Sequence, residues 1–150
     1  MHDRLAALGA ELLREALPRY LAGELEPQPQ PEEGVTYAPT LKKEDGRIDW
    51  LQAAVEIDRH VRAYTPWPGT FTHWEGRLLK ILQGSPLDES PTPDRPGLLI
   101  MVGGFPVVQT GQGLYRLDSV QLEGKQVVTG QEFLNGYRDA VGAVLRSPGG

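Results

Sequence analysis

Three histidines, His2, His60 and His73, are the first side chains to test for metal or acid-base chemistry, and they form no ligand motif. They read as surface or half-buried residues. Asp45 with Asp49, and Glu56 with Asp58, are acid pairs that general acid-base catalysis could use, but carboxylates near helix starts ordinarily serve capping and the helix dipole. Ser85, Ser90, Ser119 and Ser147 lack the glycine-flanked turn that exposes a nucleophile, and none lies beside a histidine in sequence. Gly103, Gly104, Gly111 and Gly113 precede strand-like stretches rather than a helix, so they read as turns and not as a phosphate cradle. The sequence offers no catalytic residue and no metal ligand set.

The elements that would position the remaining polar chemistry follow from size and periodicity. A chain of 150 residues that is 39% apolar can build one ordinary core without disulfide or metal staples. It has no cysteine, which fits a reducing compartment, and no apolar run long enough to span a bilayer. No secretory signal opens it, so a cytoplasmic location is expected. The net charge is -5, unevenly spread. Residues 1–36 hold three bases against seven acids, and residues 37–150 hold twelve bases against thirteen acids, so the larger part is near neutral and has room for a basic stripe.

Leu5, Leu8, Leu12, Ala16 and Leu17 recur at helical spacing, predicting a helix over 2–22 that Gly23 stops and Pro18 kinks. Alternate prolines at Pro27, Pro29 and Pro31 predict an extended, stiff spacer. Asp49 with Gln52 predicts the N-terminal cap of a second helix, with Trp50, Ala54, Ile57 and Val61 on its core face and Pro66 and Pro68 ending it. Strands are expected at 70–74, 77–82, 97–102, 105–109, 114–122 and 126–128, with hairpin turns at Glu75-Gly76 and Gly103-Gly104. The apolar phase changes within 114–122, which calls for a bulge near Asp118. Residues 84–96 read as a long surface loop, and Thr129 with Glu132 as a capping box for a last helix. The expected fold is α+β and mainly β: an OB-like Greek-key barrel led by a helix, after an N-terminal docking helix and a proline-rich linker, with an SH3-like barrel as the competing architecture. The boundaries are 1–23 for the docking helix, 24–36 for the linker, 37–146 for the barrel domain and 147–150 for a frayed tail.

Val35-Thr36-Tyr37-Ala38-Pro39, followed by Lys42, Lys43, Asp45, Arg47, Ile48, Asp49 and Trp50, is the most distinctive run in the chain. Arg62-Ala63-Tyr64 leading into Pro66-Trp67-Pro68-Gly69 is the second. Together they resemble the C-terminal domain of the methionyl-tRNA formyltransferases, and residues 131–138 resemble its closing helix. That family often has Phe-Asn where this chain has Tyr64-Thr65. The resemblance implies an enzyme that formylates the amino group of methionine on initiator tRNA with 10-formyltetrahydrofolate, in translation initiation. The family's catalytic set of Asn, His and Asp, with a Ser-Leu-Leu-Pro segment, belongs to a preceding domain. This chain has neither that segment nor any asparagine besides Asn135, so no activity is expected from it alone. The folate donor is expected at that preceding domain.

The resemblance implies that this part holds the tRNA, through phosphate neutralisation over a shaped surface. Lys42, Lys43 and Arg47 would then lie where the acceptor stem passes. Arg59 and Arg62, three residues apart on one helix side, would meet one backbone or else pair with Glu56 and Asp58. Arg77, Lys80 and Arg116 would alternate outward from their strands. Trp67, between two prolines, would stack on a base or else plug one barrel end. Trp74, His73 and Tyr115 read as core rather than platform. Two alternatives stay open: the same domain in an enzyme acting on a sugar nucleotide or formyl-folate, and a module that self-associates through its first helix.

Overall fold

The computed structural model describes residues 2–87 and 95–146, and the chain divides into two units, residues 1–39 and 40–150. The first unit carries α1 (His2–Leu21), which runs through Pro18 and buries none of its residues. Gly23 takes φ +75°, a backbone conformation that costs glycine little, and there the chain leaves the helix. The rest of the unit is neither helix nor strand.

In the second unit a 3₁₀ turn (Lys43–Gly46) and α2 (Ala54–Tyr64) precede six antiparallel strands: β1 (Thr70–Trp74), β2 (Arg77–Leu87), β3 (Leu99–Val102), β4 (Phe105–Gln109), β5 (Leu114–Leu122) and β6 (Val127–Thr129). Then follow α3 (Gly130–Gly136) and a second 3₁₀ turn (Arg138–Ala140). The sheet order is β1-β2-β5-β4-β3, with β6 on β5. Hairpins join β3 to β4 and β4 to β5, while β2 reaches β3 by a long connection and lies beside β5, which is a Greek key. Glu75 and Gly76 at φ 50° and 77°, and Gly103 and Gly104 at 59° and 81°, make the two tight turns that the strand twist favours.

Six strands in this order leave β1 and β3 as edges. The segment 142–146 runs between them: Leu99 N–H donates to Ala143 O (2.9 Å) and Leu145 N–H to Gly97 O (2.8 Å), while Arg146 N–H donates to His73 O (3.0 Å). The segment thereby pairs with the start of β3 and touches β1 at His73, which reduces the unpaired donors and acceptors that invite aggregation.

The core takes one face of the sheet and one face of α2. Ala54, Ile57 and Val61 recur at three and four residues and are buried, each larger one contributing about 1.5–3 kcal/mol relative to exposure. Trp50, Leu79, Ile81, Leu117, Val120 and Phe133 complete it, and Trp50 Nε1 donates to Thr72 Oγ1 at 3.0 Å inside the barrel. The phase change in β5 is a pair of offsetting bulges. Ile81 faces Val120 and Gln83 faces Ser119, which leaves Leu82 extra on β2; Gly84 then faces Leu117, which leaves Asp118 extra on β5.

Three sequence expectations need correction. The second helix starts at Ala54 with Ala53 as its cap and no side-chain cap bond. The Asp49 carboxylate instead accepts from Leu51 N–H at 3.0 Å, and the next backbone groups are taken by the β4–β5 loop: Gly111 N–H donates to Trp50 O (2.8 Å) and Ala54 N–H to Gln112 O (2.9 Å). Those long-range bonds outcompete the local helix, and Trp50 reaches the core from a turn. Residues 84–87 are strand rather than loop, because they pair with residues 114–117 of β5. The remainder of the expected loop at 88–94 and the tail at 147–150 lie outside the described residues. Arg77 does not point away with Lys80: it opens β2 in the phase of buried Leu79 and Ile81, opposite Trp74.

Candidate functional site

The 3₁₀ turn forms because the Asp45 carboxylate accepts from Lys42 N–H at 2.7 Å and Arg47 N–H closes onto Glu44 O at 3.0 Å. His60, on α2, sets one ring nitrogen 2.8 Å from Asp45 O, so that nitrogen carries the proton and donates to the carbonyl. On its other side the turn meets the loop between α2 and β1: Gly46 is buried, and a Cβ there would overlap the Gly69 carbonyl oxygen. Ile48 N–H then donates to Phe71 O at 2.9 Å, joining the segment to β1. Five contacts hold Lys42, Lys43 and Arg47 against the β1–β2 corner.

That corner gathers three of the expected bases. Lys43 and Lys80 line one open cleft of about 220 Å³, with Gln121, Glu123 and Gly124 from the end of β5 and its turn. Arg47 pairs through a parallel bridge with Phe71 and holds its guanidinium 5.9 Å from the Phe71 ring centroid. Phe71 is the cross-strand partner of Lys80, so the two project from the same face of the sheet. Among the described residues none of Lys43, Arg47 and Lys80 enters an ion pair. Glu123, the acid that lines the cleft, accepts from Leu78 N–H at 3.3 Å. Lys42 is exposed at the start of the same turn. Lys125, which the sequence reading passed over, follows Gly124 in the β5–β6 turn, its carbonyl accepting from Gln121 Nε2 at 2.9 Å. Its place in the Glu123-Gly124-Lys125 turn between two expected strands was the signal that could have found it.

The other bases are engaged elsewhere. Arg59 pairs with Glu56, and Arg62 Nε lies 2.8 Å from Asp58 Oδ2, so both helix arginines are matched by acids of their own helix. Arg116 Nε donates to Asp118 at 2.6 Å and its guanidinium lies 5.1 Å from the Phe105 ring centroid. Arg77 places its guanidinium 5.8 Å from the Tyr137 ring centroid, at the end of the Trp74–Phe133–Tyr137 cluster.

A second cleft, about 440 Å³, opens between α2 and the β2 bulge and is lined by Asp58, Arg62, Thr65, Gln83, Gly84 and Asp118. Its two carboxylates make it a poor seat for phosphate. They also act on Tyr115, whose ring lies where a Cβ of Gly84 would overlap it. Burial, then Asp58 and Asp118, push the Tyr115 phenol well above its ordinary range, and its hydroxyl has no hydrogen-bond partner among the described residues.

Trp67 does not plug the barrel. It is 61% exposed, whereas Trp50 and Trp74 are 0% and 2% exposed and fill the interior. Trp74 and Tyr115 are core as expected, and His73 is half-buried on β1.

Residues 40–138 match the family model described as formyl transferase, C-terminal domain. The chain is 44% identical over 144 residues to the methionyl-tRNA formyltransferase of Myxococcus xanthus, covering 95% of this chain and 45% of that protein. It is 45% identical over 147 residues to the methionyl-tRNA formyltransferase of Gluconacetobacter diazotrophicus, covering 98% and 46%. It thus spans about half the length of these curated relatives. Among solved structures, HypX from Aquifex aeolicus in complex with tetrahydrofolic acid aligns at TM-score 0.59 and 21% identity, over 87% of this chain and 23% of that one. At that identity the likeness is one of fold.

Proposed function

Because the chain belongs to the formyl transferase C-terminal domain family, we propose that it is the RNA-holding part of a methionyl-tRNA formyltransferase, acting in translation initiation in the cytoplasm. Its role is to seat initiator methionyl-tRNA so that the aminoacyl end reaches a catalytic domain outside this chain. There the methionine amine would attack the formyl carbon of 10-formyltetrahydrofolate, and none of the described residues is assigned to that step.

The observation that carries the reading is that Lys43, Lys80 and Arg47 stand at one corner and, among the described residues, none of them forms an ion pair, although Glu123 lines the same cleft. Cations placed so can replace phosphate counterions, and the displaced counterions make affinity fall with salt. Lys42, next to Lys43 in the chain, and Lys125, next to Gly124 of the cleft, are further candidates. Arg59, Arg62 and Arg116 are weaker candidates, since a phosphate would have to displace Glu56, Asp58 or Asp118. Arg77, on the inward phase, is the weakest. The apolar stripe of α1, with Leu5, Leu8, Leu12 and Leu17 all exposed, is the proposed seat for the catalytic domain.

Titration of the chain with initiator tRNA, an unrelated tRNA and duplex DNA across salt concentrations tests this. A steep salt slope with preference for the initiator tRNA is the expected result. Absence of binding at low salt would refute an RNA-holding role for this chain and favour a spacer or self-association role.

A further inference from the structure

We infer that the basic corner receives an unpaired nucleotide, with Trp67 as the platform for its base beside the Lys43, Arg47 and Lys80 phosphate seat; this rests on the RNA-holding reading above. Of the three tryptophans, only Trp67 stands in solvent, at 61% exposure. A large indole left there gives up the stabilisation that burial would supply, which makes a contact surface the better account of its position.

Its loop is held on every side. Pro66 and Pro68 flank it, and Gly69 N–H closes back onto Tyr64 O at 2.9 Å. The Gly69 carbonyl packs so closely on Gly46 that no Cβ fits between them. Gly46 ends the turn that carries Lys43, and Arg47 comes next in the chain. Two residues beyond Gly69, Phe71 stands across from Lys80. One indole and three cations are therefore fixed to a single corner of the barrel.

That combination selects among nucleic acids. In a duplex the base faces are stacked on one another and a protein meets phosphates, sugars and groove edges; an unpaired nucleotide can lay its base on an aromatic ring while its phosphate meets a cation. The neighbouring charges favour RNA over an apolar protein partner as the occupant of the indole.

The test uses the full chain, Trp67→Leu, and two RNAs with equal numbers of phosphates, one an unstructured single strand and one a blunt duplex. Trp67→Leu should weaken single-strand binding about tenfold, leave duplex binding and the salt slope unchanged, and leave the melting temperature near that of the parent because the side chain is exposed. In the parent, the single strand should also shield one tryptophan from acrylamide quenching. If both RNAs bind and Trp67→Leu changes neither, or both equally, the stacking inference is wrong while the RNA-holding reading stands. If neither RNA binds the parent, the RNA-holding reading itself fails and this inference falls with it.

Discussion

Burial leaves the Tyr115 phenol without a partner among the described residues, and Asp58 and Asp118 add to the cost of ionising it. Because the folded form holds its proton to higher pH than the unfolded chain does, the unfolded state releases that proton first, from about pH 10 upward, and stability falls as pH rises through that window. Tyr115→Phe removes both the orphan hydroxyl and the titration. It is expected to be neutral or stabilising by up to about 1 kcal/mol at pH 7, with its advantage over the parent widening above about pH 10 in urea denaturation. An advantage that did not change with pH would show that the phenol is not held neutral. At this scale the sequence was legible for Trp74 and Tyr115, read as core and buried, whereas His73, read the same way, is half-buried because strand alternation puts it on the other face from Trp74. It was not legible for Trp67, since a proline-flanked aromatic has no periodicity to say whether it faces in or out. Nor was it for Arg77, where charge argued for solvent but the open barrel end lets an inward-phase arginine extend over Tyr137.

Among the elements, β1, β4 and β5 begin and end where turn glycines and alternation place them. Thr129 and Glu132 cap α3 reciprocally, Glu132 N–H donating to Thr129 Oγ1 at 3.2 Å and Thr129 N–H to the Glu132 carboxylate at 2.8 Å. The Thr129 N–H, and then the Thr129 hydroxyl, both donating to the carboxylate, lower the Glu132 pKa. Thr129→Ala should cost about 1 kcal/mol, read as a lower urea midpoint with unchanged slope. An unchanged midpoint would mean that packing of Phe133 and Leu134 alone fixes the helix. Local signals misled where distant partners decide. Asp49 reads as a helix cap, but the β4–β5 loop takes the backbone groups that a helix would need. Gly84-Ser85-Pro86 reads as loop, but β5 holds it as strand, and the second of the two offsetting bulges falls where Gly84 lets the Tyr115 ring pass.

For the whole molecule, the pass of residues 142–146 along β3 to His73 of β1 had no local signal, because a single pass between two elements separated by the entire sheet leaves no periodic pattern. The same holds for the basic face: sequence supplied the bases, but only packing shows that Lys43, Arg47 and Lys80 meet while Arg59, Arg62 and Arg116 are matched by acids. The central claim is that RNA lies on the first group and not along α2. The measurement that tests it most directly is the salt dependence of tRNA affinity for two variants side by side, Lys43→Ala with Arg47→Ala and Lys80→Ala, and Arg59→Ala with Arg62→Ala. The account predicts that the triple variant flattens the log-log slope by about two to three units and the double variant leaves it unchanged. A slope flattened by the double variant and untouched by the triple would contradict it and move the RNA to the outer side of α2.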